Sequence, residues 1–285
     1  MPLRIERAAG TGFCRGVRRA IDIVERAAGD YGGVETLGAI VHNRPVLERL
    51  AGLGVSIADS VSEIKGKVVV TSAHGTSPQV EAEIRARGIE IIDTTCHFVR
   101  RAQTAARRLA RAGCWVVIYG DADHPEVKGI LGWAGDQGLA TLDAKQVTRR
   151  RPLPRHLGVL SQTTQIPAYF NEFTKKLSDV AVSRDSELRI VDTFCHELRE
   201  RQASARELAD RVELMLVIGG HHSANAGRLA ELCAKVTRTH LVETAGEIEA
   251  AWLKNRSAIG ITSGASTAEE TISEVIARLE ALAHT

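Results

Sequence analysis

Aromatic side chains are scarce in this chain, with Phe, Trp and Tyr making up 4% of its 285 residues. So sparse a set cannot build an extended base-stacking platform. A surplus of one charge is missing too: 37 Lys and Arg face 35 Asp and Glu, for a net of +2. No strongly basic field is available to hold a nucleic-acid backbone, so no nucleic-acid partner is expected. Long hydrophobic runs are also lacking. Cys114 to Tyr119 is representative of the longest, far below the roughly 20 residues of a membrane helix. Met1 to Arg7 carries charges where a secretory leader needs an apolar stretch. The cysteines number five, an odd count, and lie far apart, unlike a secreted disulfide framework. These absences predict a cytoplasmic protein with no membrane segment, whose cysteines act as thiolates. With 44% hydrophobic residues, the chain has ample material for a core.

What is present begins with an internal repeat. Ile92-Asp93-Thr94-Thr95-Cys96-His97 matches Val191-Asp192-Thr193-Phe194-Cys195-His196, and Thr11-Gly12-Phe13-Cys14 is a weaker third copy. Each copy follows a β-like apolar run: Ile89 to Ile92, Leu188 to Val191 and Leu3 to Ala8. Each leads into a stretch of helical apolar spacing, over about 97–112, 196–210 and 16–31. One fixed offset beyond the cysteines reaches Gly38, Gly120 and Gly219, and a second reaches His42, His124 and Ser223. A further set comprises Ser72-Ala73-His74-Gly75, Ser161-Gln162-Thr163-Thr164 and Ser263-Gly264-Ala265-Ser266. Each again lies between a predicted strand and a predicted helix. Registers this regular identify a repeat architecture.

Strands alternating with helices predict parallel sheets. The expected fold is α/β, with three similar units of mostly parallel sheet arranged pseudo-threefold around a central cavity. The units run over 9–95, 96–194 and 195–285. The last unit ends in a predicted helix from Thr267 to Leu282 with no strand after it. The N-terminal strand within 1–8 is therefore expected to complete that third sheet. Every polar group picked out by the repeat falls at the C-terminal end of a strand, where open α/β sheets bind ligands.

Cys14, Cys96 and Cys195 all precede predicted helices, and a helix N-terminus favours the thiolate and suits a metal. Three converging thiolates can hold zinc, which needs a fourth ligand, or an iron–sulfur cluster. A [4Fe–4S] cluster normally takes four cysteines. With three, one iron stays open to a substrate, and the cluster is the preferred reading. Cys114 and Cys233 stand outside the repeat and are assigned to the core. His42, His74, His124, Ser223, Asn225 and Ser266 offer hydrogen-bond donors with no lysine nearby, a set suited to a compact polyanion such as diphosphate. A carboxylate among anion-binding groups is costly unless it carries a proton, which makes Glu126 the candidate general acid, beside His124. Adjacent His221 and His222 point apart and are not expected to share a metal.

Several segments together resemble the LytB/IspH family. They are Gly12-Phe13-Cys14-Arg15-Gly16-Val17, Val41-His42-Asn43, Ser72-Ala73-His74-Gly75, Asp93-Thr94-Thr95-Cys96, His124-Pro125-Glu126-Val127, Gln162-Thr163-Thr164, Ser223-Ala224-Asn225 and Ser263-Gly264-Ala265-Ser266. The likeness runs in order through nearly the whole chain. It implies an iron–sulfur oxidoreductase of isoprenoid biosynthesis by the methylerythritol phosphate route. The implied reaction is reductive dehydroxylation of 4-hydroxy-3-methylbut-2-enyl diphosphate to isopentenyl and dimethylallyl diphosphate. The family pattern implies a [4Fe–4S] cluster on Cys14, Cys96 and Cys195. It implies diphosphate binding by His42, His74, His124, Ser223, Asn225 and Ser266, proton delivery by Glu126, and Thr163 near the substrate hydroxyl. A ferredoxin or flavodoxin is the implied electron donor.

The chain departs from that pattern beside two of the cysteines. His97 stands where the family usually has proline, and His196-Glu197-Leu198-Arg199-Glu200 replaces a small-residue, threonine-containing stretch. Groups next to a cluster tune it and orient its substrate. Two alternatives follow: a paralogue acting on another allylic or anionic substrate, or a non-catalytic cluster-based redox sensor.

Overall fold

Short runs, most of them apolar, alternate along the chain with longer segments of helical spacing, and the fold follows that alternation. The computed structural model describes residues 3–135 and 137–283. Met1 and Pro2 of the N-terminal segment, and the last two residues of the third unit, lie outside the described residues.

In chain order the elements begin with β1 (Arg4–Arg7), α1 (Arg15–Tyr31), β2 (Val34–Leu37), α2 (Arg44–Gly52), β3 (Val55–Ala58), β4 (Val68–Thr71), α3 (Pro78–Ala86) and β5 (Glu90–Ile92). Next come α4 (His97–Arg111), β6 (Trp115–Tyr119), α5 (Pro125–Ala134), β7 (Gly138–Thr141), α6 (Lys145–Thr148), β8 (His156–Ser161), α7 (Pro167–Val182) and β9 (Glu187–Val191). The chain ends with α8 (His196–Ala209), β10 (Leu214–Ile218), α9 (Ala224–Ala234), β11 (Arg238–Val242), β12 (Ala258–Ser263) and α10 (Glu269–Ala283).

Among the described residues the strands form three sheets of four, in the orders β3-β2-β4-β5, β7-β6-β8-β9 and β1-β12-β10-β11. All pairings are parallel. The three sheets share one topology. In each, the first strand in sequence is flanked by the second and the third, and the fourth lies on the far edge. In the last sheet that fourth place is taken by β1, paired with β12 from Arg4↔Ala258 to Arg7↔Ile261. The N-terminus thus supplies the strand that the C-terminal segment lacks.

This topology sorts the polar residues by role. Loops leaving the first and third strands carry His42, His74, His124, Thr163, Ser223 and Ser266, and Asn225 lies in the helix turn that follows one of them. Those two strands are neighbours with connections departing to opposite sides, the point where parallel sheets open a crevice. Cys14, Cys96 and Cys195 each follow the fourth, edge strand instead: β1, β5 and β9.

Central strands are buried on both faces, as parallel sheets covered by helices require; every residue of β10 and of β12 is buried. Helix α4 shows why the helices dock: Phe98, Val99, Ala102, Ala106 and Leu109 are buried along one stripe, while Arg101, Arg108 and Arg111 are exposed. The chain packs as two compact units. One comprises the described parts of Met1–Arg18, Val41–Gly52 and His196–Thr285, and contains the sheet ending in β1. Its core lies on both sides of that sheet, with Leu208, Met215, Leu229 and Cys233 on one side and Leu216, Ile261, Ile272 and Val275 in a second cluster. The other comprises Arg19–Ile40 and Leu53–Cys195, and contains the remaining two sheets with cores of their own. Among the described residues no helix is long and apolar enough to cross a membrane.

Candidate functional site

In the unit formed by Arg19–Ile40 and Leu53–Cys195, the buried carboxyl singled out from the sequence is Glu126. It sits in the first turn of α5 and is 2% exposed. Thr163 approaches it twice: its backbone N–H donates to Oε1 at 2.7 Å and its hydroxyl donates to Oε2 at 2.9 Å. Burial pushes the Glu126 carboxyl up to about 7, and the two Thr163 hydrogen bonds only partly offset that burial. A carboxyl so placed holds or releases a proton at neutral pH.

His124 is the N-cap of α5, and its Nδ1 accepts the Glu126 backbone N–H at 3.1 Å. An accepting Nδ1 leaves the neutral ring's proton on Nε2, so this histidine is a hydrogen-bond donor without carrying charge. The His74 ring packs edge-on to His124, with centroids 5.3 Å apart, and its Nδ1 lies 3.3 Å from the Ser72 hydroxyl. Gly75 makes this turn possible. Its φ is +68°, and a Cβ there would lie 2.5 Å from Gln103 Nε2 and 2.8 Å from Thr95 Cγ2.

Two of the repeat cysteines belong to this unit. Cys96 is the N-cap of α4, and its N–H donates to Ala73 O at 3.1 Å, which ties it to the His74 loop. The Asp93 carboxylate braces the approach to Cys96, accepting the backbone N–H and the hydroxyl of Thr95 at 2.9 and 2.5 Å. Cys195 precedes α8, and its N–H donates to Thr163 O at 3.1 Å. Thr163 therefore bonds Glu126 through its amide and hydroxyl and Cys195 through its carbonyl.

In the other unit, Cys14 ends the loop after β1. Its N–H donates to Ala265 O at 3.0 Å, and the Val17 N–H at the start of α1 donates to its Sγ at 3.4 Å. Burial pushes the Cys14 thiol up, with the Val17 N–H acting in the opposite direction. His42 is half-buried; burial, assisted by the neighbouring His222, lowers its pKa and keeps the ring neutral. Gly220 allows the His42 backbone to pass, because a Cβ there would lie 2.4 Å from His42 O. Ser223 caps α9 by accepting the Ala226 N–H.

Asn225, in the first turn of α9, is 7% exposed, and neither of its side-chain heteroatoms has a hydrogen-bond partner among the described residues. A buried unsatisfied amide costs about 1–3 kcal/mol, and both of these atoms are available to a ligand. Ser266 is buried in the loop after β12. Gly264 N and the Thr267 hydroxyl both donate to Ile218 O, at 2.7 and 2.9 Å, fastening that loop to the end of β10.

The remaining polar candidates have ordinary structural roles. Cys114 and Cys233 are buried in hydrophobic clusters, and burial pushes Cys233 up to about 12. His221 pairs with Glu247 at 2.8 Å. Of the atypical residues beside the cysteines, His97 is exposed with its ring against Phe98, His196 is exposed, and Leu198 is buried. Glu197 turns to the Cys14 loop, accepting the Arg15 backbone N–H at 3.1 Å and pairing with its guanidinium at 2.5 Å. Sequence reasoning passed over Glu197 in this role and missed Arg201, an arginine only 4% exposed. The spacing of the two by one helical turn was the one available signal, and it does not reveal which loop lies above that face.

The family profile described as LytB protein matches residues 5–280. The chain is 57% identical over 280 residues to the 4-hydroxy-3-methylbut-2-enyl diphosphate reductase of Dehalococcoides mccartyi (strain CBDB1), covering 98% of this chain and 99% of that protein. The protein of the same name from Geobacter sulfurreducens is 39% identical, with coverage of 98% and 97%. A solved (E)-4-hydroxy-3-methyl-but-2-enyl diphosphate reductase, described as the terminal enzyme of the non-mevalonate pathway, superposes with a TM-score of 0.69 at 32% identity, covering 98% of this chain and 99% of that one. The Plasmodium falciparum E-1-hydroxy-2-methyl-but-2-enyl-4-diphosphate reductase superposes with a TM-score of 0.90, covering 97% and 88%. At 24% identity that likeness speaks to the fold alone.

Proposed function

The chain belongs to the LytB protein family, and from that premise we propose that it reduces 4-hydroxy-3-methylbut-2-enyl diphosphate, replacing the allylic C–O bond with C–H. Two electrons and two protons enter, water leaves, and the allyl fragment is protonated to isopentenyl or dimethylallyl diphosphate. The observation that carries this reading is Glu126: a buried carboxyl poised near 7 and bonded through both oxygens to Thr163. A proton store of that kind is what removal of a hydroxyl as water needs.

Cys14, Cys96 and Cys195 are the residues that would hold a [4Fe–4S] cluster. Their donor chemistry fits it, three thiols each standing immediately before a helix, where free N–H groups stabilise bound thiolate. When bound, the cluster supplies the electrons one at a time and a Lewis-acidic iron. A one-electron protein carrier, ferredoxin or flavodoxin, is the donor suited to it. His42, His74, His124, Ser223, Asn225 and Ser266 bind the diphosphate. Imidazoles, hydroxyls, an amide with no partner among the described residues and helix N-termini donate to a compact polyanion without the tight, non-directional grip of lysine. Thr163 orients the Glu126 carboxyl and gives its proton a hydroxyl to pass through. The atypical residues beside the cysteines do not favour another substrate. His97 and His196 are exposed, and Glu197 is engaged with Arg15.

The test is an anaerobic assay of cluster-reconstituted protein with a strong one-electron donor and 4-hydroxy-3-methylbut-2-enyl diphosphate, after quantifying iron and sulfide. About four irons per chain and release of both isomeric diphosphates are expected. An intact cluster without turnover overturns the substrate assignment.

A further inference from the structure

Helix α8 bears on the Cys14 loop with two side chains one turn apart. Glu197 grips the residue after Cys14, as described, and Arg201 grips the loop before it. The Arg201 guanidinium donates Nη2 to Gly12 O at 2.9 Å and Nη1 to Ser263 O at 2.8 Å, with Gly264 O 3.2 Å away. The Gly12 N–H closes the arrangement by donating to the Ser263 hydroxyl at 2.8 Å. A single buried side chain therefore stitches together two loops from opposite ends of the sequence. One ends at Cys14; the other carries Ser266. A guanidinium is suited to this because it is planar and always charged, and it offers several donors in a fixed fork. Satisfying backbone carbonyls in the interior is also how so costly a burial is offset.

We propose that Arg201 is a positioning residue of the reductase, holding the Cys14 ligand loop and the Ser266 substrate loop at a fixed spacing. The proposal rests on the reading that Cys14 holds the cluster and Ser266 the diphosphate. The expected consequence is local: without the fork, the Cys14 loop opens while the rest of the unit stays packed.

Cysteine chemistry in the cluster-free protein separates this from a general packing role. Cys14 is partly accessible, whereas Cys233 is buried beneath α8, its Sγ 3.8 Å from Ala205 O. Cys233 thus reports whether α8 itself stays in place. Alkylation with iodoacetamide, followed at each cysteine by peptide mass spectrometry, is compared among wild type, Arg201→Lys and Arg201→Gln. Lysine keeps the charge but loses the fork, and it decides the matter if the glutamine variant does not fold. Expected is an acceleration of about tenfold or more at Cys14, from local opening, with Cys233 still protected. In reconstituted protein, KM for the diphosphate substrate is expected to rise about tenfold as the two loops lose register. A Cys14 rate in Arg201→Lys within about twofold of wild type overturns the proposal, because no local opening has then been released. So does acceleration at Cys14 and Cys233 together, which marks a packing role. Failure of wild-type turnover bears on the substrate assignment and leaves the alkylation result intact.

Discussion

Glu126 is the residue on which chemistry and stability meet. Its carboxyl is raised from 4.5 to about 7 by burial, so the folded chain binds a proton there that the unfolded chain has released. The stability this contributes is fully present below pH 4.5 and is lost as pH rises through about 7. At about 1.4 kcal/mol per unit, the swing is roughly 3 kcal/mol. Glu126→Gln, which cannot ionise, is expected to lack it. Urea unfolding of both proteins at pH 5 and pH 8 measures the difference, and a gap that does not change with pH contradicts the assignment. For activity, Glu126 as the proposed proton donor loses its proton as pH rises through the same range, so the wild-type rate should fall on the alkaline side. Glu126→Gln should lower kcat by about 100-fold or more with the cluster content unchanged.

At the scale of the element, the informative case is the first turn of α9. A helix start offers N–H groups to an anion, and Ser223 and Asn225 sit in it with different structural duties. Ser223 caps the helix, so its loss mixes a folding cost with any binding cost. Asn225 has no hydrogen-bond partner for either heteroatom among the described residues, so its removal breaks no hydrogen bond there. Asn225→Ala is expected to leave the melting temperature unchanged or slightly raised while KM for the diphosphate rises about tenfold or more. A fall in melting temperature without a change in KM would make Asn225 a structural residue.

Across the molecule, the three sheets repeat one strand order, and the third completes it only by recruiting β1. That strand also brings Cys14 to its place at the head of α1, so the N-terminal segment ties the fold to the position of a proposed cluster ligand. Removing residues 1–8 strips a full edge from the sheet and leaves β12 with unpaired backbone groups. Such a chain is expected to lose cooperative thermal unfolding and to retain little iron after reconstitution. Circular dichroism melting and iron analysis would show this; a melt superimposable on the full chain would mean that the pairing is dispensable.

Local signals in the sequence determined a good deal. Apolar runs ending in glycine or small polar residues specified the strands, and the spacing of Ala, Leu and Arg specified helices such as α4. The cysteine-centred registers specified that the pattern recurs, and the separate motifs specified the family. All of these are properties of neighbours along the chain, which is where propensity and periodicity act. Tertiary structure alone decided the rest. Burial and the approach of Thr163, far along the chain, set the Glu126 carboxyl near neutrality. Packing left Asn225 without a partner and drew Arg201, a residue that composition places at the surface, under Gly12 and Ser263. Whether His97 and His196 face outward while Glu197 meets Arg15 was likewise fixed by how α4 and α8 each dock within their own unit. A pKa, an orphaned amide and a buried guanidinium all depend on which distant atoms displace water from a group, and no stretch of neighbouring residues records that.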